Sequence, residues 1–179
     1  MSVVRILGID PGLGGALALL TAAGSLEISD MPCHEIERGG KHKRQVDVVA
    51  LAGLVRTMAP SHAVLERVGA MPGQGVSSMF GFGRSVGQLE GVIAALEIPV
   101  SYVAPQTWQK ALKVPRGKDG SRLRASELMP AYAERWRLVK HHGRAEASLI
   151  ALWGLTSRPA IAADAIRAGG LAVASAAAA

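Results

Sequence analysis

Cysteine occurs once in this chain, at Cys33, which rules out an internal disulfide and a cysteine-based zinc site. A reducing cytoplasm fits that usage, and nothing near Cys33 in sequence reads as a partner base that would make it a nucleophile. Aromatic residues are scarce at 4%, so the core has to come from the Val, Leu, Ile and Ala that dominate a hydrophobic fraction of 49%. No apolar run is long enough to span a bilayer, and the N-terminus enters a strand pattern without a signal-peptide profile. The expectation is a soluble, cytoplasmic protein with no membrane partner. Acids are outnumbered, 14 against 20 Lys and Arg, and the net charge of +6 favours an anionic partner such as nucleic acid.

The excess of positive charge is concentrated. Lys110, Lys113, Arg116, Lys118, Arg122 and Arg124 fall in one short window opposed by Asp119 alone. Such a window is either a solvated basic loop or a phosphate-contacting surface. The 179 residues suffice for one domain with a sizeable core. That domain is expected over 1–157, followed over 158–179 by a helix and an Ala/Gly-rich tail whose low complexity marks it for fraying or disorder.

The stretch Arg5–Leu20 organises the rest. It reads as an apolar strand over 3–9, a turn at Pro11–Gly14 and a second strand over 15–21, with a short third strand at Leu26–Ser29. Connections this short make the three strands antiparallel. Asp10 stands where the first strand ends. It either mounts a metal ion on a rigid edge or bonds only the turn backbone. Residues 33–45 are polar, contain Gly-Gly and read as a mobile surface loop.

Asp47 caps a helix to Met58, with Val48, Leu51, Val55 and Met58 on one face, and Pro60 ends it. A fourth strand, His62–Glu66, follows a helix and so runs parallel to the first, ending in a second acid, Glu66. Asp10 and Glu66 then share the sheet edge on which α/β sites form. A helix from Ser78 to Leu96 carries Val86, Leu89, Ile93 and Leu96 as its core stripe, and Gly83, Gly87 and Gly91 on a face without side chains. That face invites close approach of the sheet, a second subunit or a nucleic-acid backbone, and sheet packing is the simplest of these. Pro99–Val103 is a fifth strand. Pro105 opens a short helix with Trp108, and a basic helix from Ser121 to Arg135 bends near Pro130.

The helix that is apolar from Ala145 onward carries Glu146 near its start, an expensive placement unless the acid is paired or binds a cation. His142 lies four residues earlier on the same face. The pair would hold a metal; alternatively, Glu146 is bridged by Arg144 or a lysine while the histidines face solvent. Asp10, Glu66 and Glu146 converging on one sheet edge would make an oxygen-rich site suited to Mg²⁺ or Mn²⁺.

Gly8-Ile9-Asp10-Pro11-Gly12, Leu65-Glu66, Gly87-Gln88-Leu89-Glu90-Gly91, Pro105-Gln106-Thr107-Trp108-Gln109-Lys110 and Gly143-Arg144-Ala145-Glu146-Ala147 occur in this order between residue 4 and about residue 153. The series resembles the RuvC-type Holliday junction resolvases, particularly the divergent branch carried by phages. The resemblance implies an α/β, RNase H-like fold with a five-stranded mixed sheet flanked by helices. It also implies a homodimer and paired, metal-dependent incisions across a four-way DNA junction. Carried over by motif, Asp10, Glu66 and Glu146 would be metal ligands and catalytic residues, with His142 the nearest fit to the family's fourth position. Phe80 or Phe82, with Met79, would fill the role of the apolar group at the junction centre, although core packing explains them equally well. Lys118 and Arg124 match the basic segment that contacts scissile-strand phosphates, in which Lys110, Lys113, Arg116 and Arg122 are neighbours. A nuclease of the same fold acting on forks, flaps or structured RNA is the main alternative. A sugar-kinase or actin-like ATPase would need a second lobe, and a non-catalytic DNA binder gains nothing from buried acids.

Overall fold

A computed structural model of the chain describes residues 4–38, 40–69, 73 and 75–157, and the expectation for 158–179 lies outside them. Its sheet has five strands in the order β3-β2-β1-β6-β7. β1 (Arg5–Asp10), β2 (Ala16–Thr21) and β3 (Leu26–Asp30) pair antiparallel, as their tight turns require. β6 (His62–Glu66) and β7 (Val100–Val103) continue the sheet parallel to β1 after helical crossovers.

Both faces of the sheet are covered, which is why its central strands are almost continuously apolar. Ile6, Ala16, Ala18, Leu20 and Val64 pack on one face against α5 (His142–Ser157). Leu7, Ile9, Leu17, Leu19, Ala63 and Leu65 pack on the other face against α1 (Val48–Met58) and α2 (Val76–Ala95). Asp47 caps α1 by accepting the Ala50 N–H at 3.0 Å, and Ala59 closes it in a left-handed conformation just before Pro60.

The segment expected to be a mobile loop is a two-stranded ribbon, β4 (Cys33–Arg38) with β5 (Lys41–Val46). Arg38 pairs with Lys41, so only the Gly-Gly of the sequence separates the two strands, and Glu35 lies opposite Arg44. Gly-Gly between two such runs and a cross-strand pair of opposite charge are hairpin signals in their own right, although the segment is polar. The basic helix is also shorter than expected: α4 spans Gly120–Leu128, and Pro130 opens a separate 3-10 helix to Trp136. α3 is the short helix Pro105–Ala111.

The glycines of α2 do not pack on the sheet. A Cβ built at Gly83, Gly87 or Gly91 would meet nothing within 4 Å.

Candidate metal centre and basic cleft

Strand alternation aims the first two acids. Ile6 and Val64 lie on the α5 face, so Asp10 and Glu66, at even offsets along β1 and β6, point to that face as well. The register pairs Ile9 with Leu65, which brings the two strands to their acids side by side. α5 then lies across β1 so closely that a Cβ on Gly8 would stand 2.2 Å from the Ala147 carbonyl oxygen. At the N-terminal end of α5, a Cβ on Gly143 would come within 2.9 Å of Asp10 Oδ2 and 2.6 Å of the Gly14 oxygen. Glycine at 8 and 143 therefore lets the helix deliver Glu146 to the sheet edge that carries Asp10 and Glu66.

Each acid is held. Asp10 accepts the Gly12 N–H at 3.3 Å, so it does serve the turn. The buried Trp108 indole N–H donates to Glu66 Oε1 at 2.8 Å. Ser121 Oγ donates to Glu146 Oε1 at 3.1 Å, and His142 Nε2 lies 3.0 Å from the same oxygen. Arg144 does not bridge Glu146; it forms a two-pronged pair with Asp30 at the end of β3. The sequence assigns neither Trp108 nor Ser121 a role at the acids. The usable signal was a buried tryptophan in an aromatic-poor chain, because an indole N–H taken out of water needs an acceptor.

Asp10 and Glu66 share an unfavourable field. Burial pushes Asp10 up to about 6, with the Glu146 charge adding to the rise. Burial pushes Glu66 up to about 7 against the lowering effect of the Trp108 hydrogen bond, with Asp10 and Glu146 raising it further. His142 is raised by its bond to Glu146. Uncompensated negative charge of this kind is what a divalent cation relieves, and carboxylate oxygens are the donors that Mg²⁺ and Mn²⁺ prefer. The donor chemistry therefore fits such an ion. Among the described residues, no three His, Cys, Asp or Glu side chains stand close enough together to enclose one. Two of the acids have an oxygen engaged by Trp108 or by Ser121 and His142, so the donors would have to close around a cation.

A cleft of about 510 Å³ opens beside Glu146, lined by Arg116, Lys118, Ser121, His142 and Glu146 among others. Arg116 and Lys118 are exposed on a tight turn: Gly117 has φ 108°, and a Cβ on Gly120 would collide with the Pro115 carbonyl. Lys110 and Lys113 are exposed just before this turn. Arg122 and Arg124 are engaged within the protein, Arg122 with Asp119 and the Arg137 carbonyl, Arg124 with Glu127 and the Leu112 carbonyl. Phe80 lies away from this cleft, 67% exposed on α2. Phe82 and Met79 are partly buried.

No protein-family model and no curated protein matches the chain. Solved structures do share its fold. RuvC of Thermus thermophilus in complex with a Holliday junction substrate is 18% identical with a TM-score of 0.55, over 90% of this chain and 95% of that one. Thermus thermophilus RuvC in a second structure is 14% identical with a TM-score of 0.53, over 82% and 92%. The yeast mitochondrial Holliday junction resolvase Ydc2 is 14% identical with a TM-score of 0.52, over 83% and 76%. The five-stranded mixed sheet flanked by helices is the RNase H-like arrangement expected from sequence.

Proposed function

We propose that this chain is a divalent-metal-dependent endonuclease that resolves four-way DNA junctions as a homodimer in the cytoplasm. The supporting observation is the convergence of Asp10, Glu66 and Glu146 at one sheet edge, two of them raised to about 6 and 7, beside a cleft rimmed by exposed cations. The fold shared with a RuvC bound to a junction substrate adds to it.

In this reading Asp10, Glu66 and Glu146 hold Mg²⁺ or Mn²⁺, with His142 at the margin. When bound, such ions polarise the phosphodiester and stabilise charge on the attacking and leaving oxygens. The chain's own groups do the rest. Trp108 and Ser121 fix the rotamers of Glu66 and Glu146, so the carboxylates are oriented before substrate arrives. In this reading His142, 41% exposed and bonded through Nε2 to Glu146, would orient that carboxylate or a water and carry a proton. Arg116 and Lys118, with Lys110 and Lys113, attract and position phosphates, a contact that carries no base information. A two-fold assembly would match a two-fold junction and supply two sites for paired nicks.

The test is cleavage of a synthetic four-way junction with Mg²⁺ or Mn²⁺, alongside linear duplex, a fork and a structured RNA. Symmetric nicks on the junction are expected. D10N, E66Q and E146Q should each lose about 1000-fold or more in rate, several kcal/mol of transition-state stabilisation, while still binding the junction. Ordinary turnover by these variants would end the metal-site reading, and preferential cutting of forks or RNA would move the substrate.

A further inference from the structure

The β4–β5 ribbon stands beside α2, and the two enclose a groove of about 980 Å³ separate from the cleft at Glu146. Leu13, in the turn that follows Asp10, also lines it, so the groove reaches that turn. The ribbon contributes Ile36 and Lys43, and α2 contributes Phe80 and Arg84. Arg44 donates to the Leu13 carbonyl at 3.0 Å, which ties the ribbon to the Asp10 turn and fixes the groove's width at that end. Lys43 and Arg84 are exposed and, among the described residues, form no ion pair. No described acid lines the groove. The α2 N-terminus opens into it at Ser77 and Ser78 with no side-chain cap and no acid in the first turn.

We propose that this groove is a second DNA track, in which Lys43 and Arg84 hold the phosphates of one junction arm beside the turn that follows Asp10. The inference rests on the junction-cutting reading above and assigns part of the binding to a ribbon that would otherwise be a surface ornament. Charge selects the occupant. Unpaired cations, an uncapped helix N-terminus and an exposed aromatic ring suit a strand with phosphates and π-faces. A second copy of a chain with net charge +6 would bring more positive charge against them.

The test is junction binding in chelator as a function of salt, by the wild-type chain and by K43A/R84A, with hydroxyl-radical footprints of both complexes. Removing one cation from a phosphate should lower the salt slope by about 0.9, so the affinity that the wild type loses between about 50 and 200 mM salt should shrink about tenfold in the double variant. Protection on one arm next to the branch point should vanish with it. K43R/R84K should keep slope and footprint, which separates charge from folding. Unchanged slope and footprint in K43A/R84A, with the wild type binding normally, would overturn the track and leave the junction reading standing. A change of oligomeric mass without a change of slope would assign the groove to a second copy and also overturn it. Failure of the wild type to bind any junction would remove both.

Discussion

The two faces of the sheet use glycine for opposite ends. On the α5 face, Cβ atoms at Gly8, Gly143 and Gly154 would come within 2.2, 2.6 and 2.6 Å of neighbouring atoms, backbone at the first two. On the other face, Cβ atoms at Gly83, Gly87 and Gly91 would meet nothing within 4 Å. The first set is a close-packed joint that sets where Glu146 lies relative to Asp10. The second leaves one side of α2 bare to solvent at about 1 kcal/mol per glycine relative to alanine. A precisely placed acid needs the first arrangement, because a carboxylate is only as well located as the helix that carries it.

The contrast is sharpest if each face is filled. G8A drives a methyl into the backbone of α5, which cannot yield as a flexible side chain would. We expect a loss of more than about 3 kcal/mol or failure to fold, read by denaturant melts. A variant of ordinary stability would show that α5 can lift from β1.

A smaller effect is expected from W108F, which removes the donor to Glu66 on the same face. Metal affinity and kcat should fall about 10- to 100-fold, with junction binding in chelator unchanged. Equal loss of binding and turnover would instead indicate a general packing defect.

The raised acids make a prediction for the metal-free protein. Asp10 and Glu66 hold protons more tightly folded, at about 6 and 7, than at their ordinary values of 3.8 and 4.5. The folded state therefore loses stability as pH rises from about 4 to 7, the reverse of a salt-bridged carboxylate. D10N should raise Tm in chelator at pH 8 by about 2–4 °C, worth about 1 kcal/mol, and should bring no gain below pH 4. Asp30, lowered by Arg144, has the ordinary sign, and its contribution disappears as pH falls.

The smallest effect is expected on the bare face. G87A should stabilise α2 by about 0.5–1 kcal/mol, measured by thermal melts of the isolated protomer. If it instead breaks a dimer, that face is occupied by a second copy and its openness belongs to the single chain only.

The strand alternation that points Asp10 and Glu66 to one face is a period of two, readable from residue order alone. The apolar helix that carries Glu146 is equally local, so the chain's sequence by itself determined the sheet, the crossovers and the choice of three candidate acids. The ribbon was hidden because its strands are mostly polar and hydrophobic periodicity is nearly silent there; only Gly-Gly, with acids before it and bases after it, marked it. Tertiary structure decided the remainder. Trp108 reaches Glu66 across 42 positions and Ser121 reaches Glu146 across 25, distances over which no local pattern carries information. Glycine likewise reads the same at Gly8 and Gly87, because a missing side chain acquires its meaning only from the atoms that pack against the space it leaves.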